Sequence, residues 1–433
     1  MKILVIGGGG REHAIILKLK ECEEVSEIVC CPGNGGISYD ARCVNIASTD
    51  IHALVEFAKQ ENFDYAIVAQ DDPLALGLVD EFEKIGLPSF GPNKAAARIE
   101  SSKVFAKDLM HKYNIPTANY EVFDSALLAK EYCANLESFP VVLKADGLAL
   151  GKGVLIVEGR GQAIAAIDEL MVEKRFGDSG SKIVIEEFLT GPEVSILAFC
   201  DGTTCIPMVS SMDHKRALDG DKGLNTGGMG VIAPNPFYTQ EIASICEETI
   251  FKPTVEAMIA EGCPFKGCLY FGLMITEDGP KVIEYNCRFG DPEAQTILPL
   301  LNGNLLEIMQ ACTNGNLSEV EFDFSDDSIA CIILASGGYP LQYEKGKEIT
   351  GLEDGQLSNI GENVSVLHAG TAIKDDKLVT SGGRVLGVVA QNVDLKSALD
   401  LAYDCAEQIS FDGSFYRHDI GARAFSALEE KER

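Results

Sequence analysis

The chain is short of positive charge and has no long apolar run. Its 433 residues carry 36 lysines and arginines against 66 aspartates and glutamates, which gives a formal net charge of −30. So acidic a chain is poorly suited to non-specific binding of nucleic acid or anionic membranes, although it is compatible with a local basic pocket for one phosphate. No stretch is long enough to span a bilayer. We therefore expect no nucleic-acid or membrane partner.

The CxxC pattern of many metal sites is also missing. The 14 cysteines are scattered without any CxxC pair, so a cysteine metal site is not expected. Met1 and Lys2 lead directly into a predicted strand, with no sign of a secretory signal. These features predict reduced, mostly buried thiols in a cytoplasmic protein.

The length predicts about three domains, and the order of elements suggests where they lie. Strands at residues 2–6, 27–30, 65–69 and 89–90 alternate with helices, which is typical of a doubly wound parallel sheet. This pattern predicts an N-terminal domain over residues 1–95, of the Rossmann-like type.

The pattern changes after residue 95. Short strands appear in pairs, 140–144 with 153–157 and 182–187 with 193–200, which predicts an α+β central domain over residues 96–327. A flap subdomain is expected at about 117–190. Strands at 328–336, 364–372 and 383–391, followed by a helix at about 394–409, predict a small α+β domain over residues 328–433.

The most informative segment is the end of a predicted strand near residue 284. Residues two apart on a strand point to the same side, so Glu284 and Asn286 present two oxygen ligands together. Such hard oxygens suit Mg²⁺ that is shared with substrate phosphates. Arg288 continues the spacing and offers a planar fork to a carboxylate or phosphate, whereas Cys287 points the other way and is read as packing. The alternative is a polar strand end that faces water.

Four glycines follow the first strand, at residues 7–10. A dinucleotide-binding loop requires a third glycine where this chain has Glu12, so a nicotinamide cofactor is not favoured. A strand, a glycine-rich turn and a helix still present backbone N–H groups to an anion. Arg11 and His13 are read either as pocket residues or as a solvated helix start.

A second glycine-rich segment runs from Lys144 to Gly153, between two strands. It lacks the Gly-Lys-Ser/Thr ending of a P-loop, but a hairpin of this kind can close over phosphates while Lys144 supplies a fixed charge. The alternative is a plain flexible hairpin. The residues that this reading assigns to ATP are Lys144, Gly147, Gly151, Lys152 and Gly153.

Two further segments complete the set. Backbone groups at Glu186, Glu187, Phe188 and Leu189 are suited to pair with the edge of an adenine ring. The Glu193 carboxylate is suited to accept from ribose hydroxyls. An acidic edge strand explains this segment equally well. Residues 213–216 combine Asp213, His214, Lys215 and Arg216, ahead of a glycine-rich run at 225–230 that permits close approach to a ligand. His214 is either a base or, as we favour, a hydrogen-bonded structural histidine.

Taken together, these motifs resemble those of the ATP-grasp ligases, and most closely those of the phosphoribosylamine–glycine ligases. The matching segments are Gly-Gly-Arg-Glu-His-Ala at 9–14, Lys-Ala-Asp-Gly-Leu-Ala at 144–149, Asp-His-Lys-Arg at 213–216, Asn-Thr-Gly-Gly-Met-Gly at 225–230 and Arg-Phe-Gly-Asp-Pro-Glu at 288–293. C-terminal segments at 335–340, 368–371, 382–386 and 419–421 fit the same family, so the resemblance covers essentially the whole chain.

The resemblance implies an activity: ATP, glycine and 5-phosphoribosylamine give glycinamide ribonucleotide, ADP and phosphate, through glycyl phosphate, in purine biosynthesis. It implies ATP with Mg²⁺ or Mn²⁺ as cofactors, Lys103 as a further ATP ligand, and a monomer or weak dimer. Asp213, Lys215 and Arg288 are the implied catalytic residues. The residues implied for the two substrates are Gly9, Gly10, Arg11, Asp213, Lys215, Gly228, Met229, Arg288, Asp291 and Pro292.

The chain departs from the family pattern in places. Gln70-Asp71-Asp72 precedes Pro73 where the family has Gly-Pro-Glu, and Leu150 and Leu224 replace a small residue and a proline. Three rival interpretations stay open at this stage. They are another ATP-grasp ligase or carboxylase with a different acceptor, a nucleotide-binding regulatory protein without catalysis, and an NAD-dependent oxidoreductase.

Overall fold

The computed structural model describes residues 1–148, 153–358, 361 and 363–432. The N-terminal unit is a parallel sheet of five strands in the order β3-β2-β1-β4-β5. Residues alternate along β1: Ile3 and Val5 pack on the side of α1, and Leu4 and Ile6 pack on the side of α2. The predicted doubly wound sheet is confirmed. Its elements are β1 (Lys2–Gly7), α1 (Gly10–Lys20), β2 (Glu27–Pro32), β3 (Arg42–Cys43), α2 (Ile51–Glu61), β4 (Tyr65–Val68), α3 (Asp71–Leu76), α4 (Leu78–Lys84) and β5 (Ser89–Phe90).

The central region contains two antiparallel sheets of four strands, in the orders β6-β9-β7-β8 and β11-β10-β16-β17. The elements of the first sheet and of the helices before it are α5 (Lys94–Ser101), α6 (Lys103–Lys112), β6 (Tyr120–Phe123), α7 (Ala126–Asn135), β7 (Val141–Ala145), β8 (Val154–Val157), α8 (Arg160–Ile167) and β9 (Ile183–Glu187). The elements that follow are β10 (Glu193–Asp201), β11 (Cys205–Pro207), β12 (Met212–Asp213), β13 (Arg216–Leu218), β14 (Lys222–Asn225), β15 (Gly230–Ala233), α9 (Gln240–Cys246), α10 (Lys252–Ala260), β16 (Lys266–Thr276), β17 (Gly279–Asn286), α11 (Ala294–Leu300), β18 (Leu301–Asn302), α12 (Leu305–Asn314) and β19 (Asp323–Phe324).

The predicted pairing of 182–187 with 193–200 is wrong. β9 lies inside the first sheet, between β6 and β7, and β10 belongs to the second sheet. The chain crosses from one sheet to the other at residues 188–192, so the acidic strand is not an edge strand either. The cleft between the two sheets is therefore bounded by the end of β9 and by β17.

The C-terminal sheet has the order β12-β15-β20-β24-β21, so it takes two strands from the central region. Its remaining elements are β20 (Ser328–Ala335), β21 (Val364–His368), β22 (Thr371–Lys374), β23 (Lys377–Thr380), β24 (Arg384–Asn392), α13 (Leu395–Ala406) and α14 (Ala422–Glu432). The predicted single strand at 364–372 is two strands, because the chain turns at Ala369 and Gly370. No helix within the described residues is long and apolar enough to cross a membrane.

Candidate active site

The end of β17 carries the predicted metal ligands. Tyr285 and Cys287 are buried in the core, while Glu284, Asn286 and Arg288 are half-buried on the other side. The strand ends at Asn286. Arg288 lies beyond this end but on the same side as Asn286, because the Arg288 Nη2 donates to Asn286 Oδ1 at 3.0 Å. The predicted alternation, with Cys287 as a packing residue, is confirmed.

Lysines surround the carboxylate of Glu284. Lys215 Nζ lies 3.8 Å from Glu284 Oε1, and the charges of Lys144 and Lys103 also act on it. Burial alone would raise the pKa of Glu284, but these lysines outweigh it and hold the pKa below its ordinary value. Glu284 is therefore ionised at neutral pH.

The metal prediction can be tested against the donor set. Within the described residues, no group of three or more histidine, cysteine, aspartate or glutamate side chains is placed to hold a metal ion. Glu284 and Asn286 together supply two hard oxygens. This set fits Mg²⁺, which keeps several waters and binds substrate phosphates in addition to one or two protein groups.

Lys144 is fixed at the end of β7. Its Nζ donates to Glu186 Oε2 and to the carbonyl oxygen of Ile283, both at 3.0 Å. Lys103 lies at the start of α6, where its Nζ donates to the carbonyl oxygen of Gly147 at 3.1 Å. The structure thus brings two of the predicted ATP lysines to the mouth of the glycine-rich hairpin.

Sequence reasoning missed Lys107, which is 2% exposed. Its Nζ lies 3.0 Å from the same Glu186 Oε2 and donates to Thr117 Oγ1 at 2.8 Å. Burial lowers the pKa of Lys107 to about 8, although Glu186 opposes the shift. The other carboxylate oxygen, Glu186 Oε1, is buried without a hydrogen-bond partner in the described part of the chain.

The other predicted ATP residues lie around this cluster. Gly147 is packed against Ser179, and Gly153 accepts a hydrogen bond from the N–H of Ala145. The Glu187 N–H donates to Asn119, Phe188 and Glu193 are exposed, and Leu189 is partly exposed. Gly151 and Lys152 lie outside the described residues.

Asp213 ends the short strand β12 and is buried. Its Oδ1 has no hydrogen-bond partner among the described residues. Gly228 lies so close that an added Cβ would be 2.6 Å from this oxygen and 2.5 Å from Pro292 Cδ. Burial, and next the charge of Glu293, raise the pKa of Asp213 well above its ordinary value. The charges of Lys215 and Arg384 oppose this rise, but no described residue forms a hydrogen bond with Asp213 Oδ1.

Arg288 has a donor without a partner. Its Nη2 forms an ion pair with Glu100 Oε1 at 3.0 Å, while its buried Nε has no hydrogen-bond partner within the described ranges. Glu100 also accepts from the Cys287 N–H at 2.7 Å. The charge of Asp71 reaches both Glu100 and Arg288, so the departure at residues 70–72 lies in the electrostatic neighbourhood of this arginine.

Glu12 occupies the glycine-rich loop. Its carboxylate accepts from the Gly9 N–H at 2.6 Å and from Arg11 Nε at 2.8 Å, and Arg11 also donates to the carbonyl oxygen of Phe289. A nicotinamide dinucleotide would bring its pyrophosphate against this buried carboxylate, which argues against the oxidoreductase interpretation. Arg11 and His13 are both buried, so the solvated helix start is wrong.

His214 has a structural role. His214 is buried; its Nδ1 lies 3.1 Å from the Gly230 carbonyl oxygen, and its Nε2 accepts from the Gly421 N–H at 3.0 Å. Burial lowers the pKa of His214 to about 4, so it is neutral and unsuited to hold a proton near neutrality. This confirms the preferred interpretation of His214.

The C-terminal domain reaches the site through Arg384. Its Nη1 donates to the carbonyl oxygens of Gly227 and Asp291 at 2.6 and 2.7 Å, and its Nη2 lies 3.2 Å from Asp291 Oδ1. Asp291 Oδ1 also accepts from Gln295 at 2.8 Å. Met229 is fully buried beside this loop. Arg384 therefore holds two predicted substrate segments together, a role that its sequence motif did not indicate.

The fold and the site define an ATP-grasp enzyme: two α+β sheets flank a cleft that is lined with lysines and oxygen ligands. Family models agree with this class, since those for phosphoribosylglycinamide synthetase match as the N domain over residues 1–100, the ATP-grasp (A) domain over 101–294 and the C domain over 329–423. The domain boundaries at 95/96 and 327/328 stay predictions.

Individual proteins agree as well. The chain is 49% identical to a phosphoribosylamine–glycine ligase of Caldanaerobacter subterraneus, over 98% of this chain and all of that protein. The crystal structure of the Thermotoga maritima phosphoribosylamine–glycine ligase has a TM-score of 0.84 at 33% identity, over 97% and 100% of the two chains. The chain belongs to the phosphoribosylamine–glycine ligase family.

A more distant likeness concerns the fold alone. The biotin carboxylase domain of a Hydrogenobacter thermophilus 2-oxoglutarate carboxylase has a TM-score of 0.74 at 15% identity, over 96% of this chain and 91% of that chain. An ATP-grasp carboxylase would therefore have the same architecture as this chain. The residues that bind the second substrate must distinguish a ligase from a carboxylase.

Proposed function

We propose that the chain joins glycine to 5-phosphoribosylamine at the expense of ATP, giving glycinamide ribonucleotide, ADP and phosphate. The family membership supports this ligase activity, a step of purine biosynthesis. The observation that carries the substrate assignment is the pair of unpartnered groups Asp213 Oδ1 and Arg288 Nε. One is an acceptor and the other a donor, and glycine is a zwitterion.

In this proposal, Asp213 binds the ammonium group of glycine and Arg288 binds its carboxylate. A buried acceptor without a partner is costly, and a bound ammonium group removes that cost. Gly228 has a φ of +116° and leaves no room for a side chain, so a residue other than glycine at this position would displace Asp213. A bicarbonate substrate, as in a carboxylase, would bring an anion rather than a cation to Asp213.

ATP is assigned to the cleft between β9 and β17. Lys103 and Lys144 face the phosphates. The cover over them is assigned to the glycine-rich segment at 147–153, of which residues 149–152 lie outside the described part of the chain. Glu186 Oε1 accepts from the adenine amino group, the backbone at 187–189 borders the base, and Glu193 accepts from the ribose hydroxyls. The Hydrogenobacter thermophilus domain of the same fold is described in complex with ADP and magnesium, which supports a nucleotide in this cleft.

Magnesium is assigned to Glu284 and Asn286, and manganese is a second candidate. When bound there, the metal would neutralise charge on the ATP phosphates during transfer. Lys215 lies 3.8 Å from Glu284 and 3.5 Å from Glu193. Its position suits a cation that stabilises the phosphoryl group as it moves.

The chemistry follows from these roles. A carboxylate is a poor acyl donor, so the glycine carboxylate first attacks the terminal phosphorus of ATP and ADP leaves. The amine of phosphoribosylamine then attacks the acyl carbon of glycyl phosphate, loses a proton, and displaces phosphate. No protein nucleophile is needed, and the closed hairpin excludes the water that would hydrolyse the intermediate.

The phosphate of phosphoribosylamine is assigned to the loop at Gly9, Gly10 and Arg11. Glu12 already engages the Gly9 N–H and the Arg11 guanidinium. The donors left for a phosphate are therefore backbone groups at the start of α1, where the helix dipole favours an anion. This site lies beside Asp291, whose Oδ2 is 3.3 Å from a Cβ built on Gly9.

We also propose that the protein acts in the cytoplasm, as a monomer or weak dimer. All fourteen cysteines are free thiols, which fits a reducing compartment.

The function is tested by measuring phosphate release from ATP and Mg²⁺ with glycine and freshly generated phosphoribosylamine, added singly and together. We expect release that requires both substrates, with glycinamide ribonucleotide among the products. Release with another carboxylate or amine would move the substrate assignment. Absence of release in a protein that binds ATP would favour the regulatory-protein interpretation.

A further inference from the structure

Two side chains of the proposed site, Asp213 and Lys215, lie at the base of a hairpin that has few contacts within its own small sheet. β13 and β14 form a sheet of two strands, and every residue of β14 is exposed. An isolated two-stranded hairpin is marginally stable in water, so other contacts must fix its position. Lys215 directly precedes β13, and Asp213 lies two residues earlier.

One buried side chain of the C-terminal domain supplies such contacts. Arg417 is 2% exposed, and its Nη1 donates to the carbonyl oxygen of Arg216 at 3.1 Å and to Asp221 Oδ1 at 2.9 Å. Its Nε and Nη2 donate to the two oxygens of Asp419 at 2.7 and 2.8 Å, a bidentate pairing that fixes the guanidinium plane. Asp419 in turn accepts from the Gly220 N–H at 2.7 Å. The guanidinium therefore connects the start of the hairpin with its tip.

The hairpin transmits this position to Lys215. Thr226, which follows β14, donates from both its N–H and its Oγ1 to the carbonyl oxygen of Lys215, at 2.8 and 2.9 Å. His214 is held on both sides, since its N–H donates to Gly230 at 2.9 Å and its Nε2 accepts from Gly421 at 3.0 Å. The backbone on either side of Lys215 thus moves with the C-terminal segment.

We propose that Arg417 is a positioning residue for the glycine site. It touches neither substrate nor metal; it fixes the segment that leaves β12 at Asp213 and carries Lys215 into the hairpin. This inference rests on the proposed roles of those two residues. A displacement of about 1 Å at a catalytic group lowers the rate by about a hundredfold, so looseness of the hairpin is expected to impair glycine use. The groups assigned to ATP binding come from residues 103–193 and from β17, and Arg417 contacts none of them within the described ranges. Of the residues that Arg417 is proposed to position, Lys215 alone reaches that site, through Glu193 and Glu284.

The test compares Arg417→Met with Arg423→Met in the full chain. Arg423 is a matched control because its Nε also faces Asp221, at 3.5 Å, from a half-exposed position, and it makes no contact with the hairpin backbone among the described residues. For Arg417→Met we expect kcat/KM for glycine to fall at least about tenfold, mainly through KM, while the Kd for ATP changes less than about twofold. The control is expected to retain both values.

A milder variant covers the case in which Arg417→Met folds poorly. Asp221→Asn removes the ion pair at the hairpin tip, and asparagine tolerates the left-handed φ of 52° at that position. We expect the same selective loss for glycine, to a smaller extent. Equal losses for glycine and ATP, or unchanged glycine kinetics in folded Arg417→Met, would overturn the proposal.

The variant Asp213→Asn distinguishes failure of the proposed glycine site from failure of the positioning role of Arg417. If it leaves the KM for glycine unchanged, the proposed glycine site itself is wrong, whatever Arg417 does. If it raises that KM while Arg417→Met does not, the failure is confined to the positioning role.

Discussion

Glu186 is the carboxylate on which two buried lysines converge. Lys107 and Lys144 each lie 3.0 Å from its Oε2, and all three side chains are at most 5% exposed. The variant Glu186→Gln keeps the shape and removes the charge. Removal of one partner from a buried ion pair costs about 3 to 5 kcal/mol. We therefore expect a large drop in the urea midpoint of unfolding near neutral pH.

The loss of unfolding free energy in Glu186→Gln should depend on pH, because Lys107 can release its proton. Its pKa of about 8 in the folded protein lies below the unfolded value of 10.5, so the unfolded chain binds more protons between these values and stability rises with pH there. Without Glu186, which opposes the effect of burial, the pKa of Lys107 falls further. The variant then begins to regain stability at a lower pH than the parent does. Its loss of unfolding free energy should therefore be smaller at about pH 9 than at about pH 6, by on the order of 1 kcal/mol.

The assay is urea denaturation at those two pH values, with the slope m checked for constancy. Glu187→Gln is the matched control, because its side chain is 37% exposed and its nearest lysine nitrogen, on Lys281, is 3.9 Å away; a change below about 1 kcal/mol is expected. Adding Lys107→Met to Glu186→Gln should abolish the pH dependence. A deficit of equal size at both pH values would refute Lys107 as the group that relaxes.

Three further outcomes are expected. Glu284→Ala should abolish turnover with an unchanged circular dichroism spectrum, and activity at the parent level would remove the metal assignment. Glu100→Gln removes the carboxylate charge that pairs with Arg288 at 3.0 Å, so the KM for glycine should rise about tenfold while the KM for ATP stays constant; parallel changes in both would contradict this role. Glycine binding should release a proton and strengthen as pH rises from about 4 towards the raised pKa of Asp213, because the acid must ionise to hold the ammonium group. Calorimetry in buffers of different ionisation enthalpy measures the proton release. Release that persists in Asp213→Asn would disprove the role of Asp213.

Those parts of the site that depend on local periodicity could be predicted from the sequence. The alternation of Glu284, Asn286 and Arg288 around buried Tyr285 and Cys287 depends only on the pleat of one strand. The same holds for the alternating strands and helices of the N-terminal sheet. These features need no knowledge of distant contacts.

The missed features depend on long-range contacts. β9 was expected to pair with the next strand in the chain, because consecutive strands often pair, yet it lies between β6 and β7. Glu100 and Lys107 are charged residues on two different helices, and nothing in their local sequence shows that they are buried at the site. One signal was present: Lys103 and Lys107 are four residues apart on α6, which is the spacing of one helix face.

Glycine is proposed to lie between Asp213 and Arg288, beside the ATP phosphates. A crystal structure with glycine, Mg²⁺ and a non-hydrolysable ATP analogue tests this placement directly. We expect the glycine ammonium group within hydrogen-bond distance of Asp213 Oδ1 and its carboxylate on Arg288 Nε. Glycine bound elsewhere in the cleft, with Asp213 Oδ1 still without a partner, would contradict it.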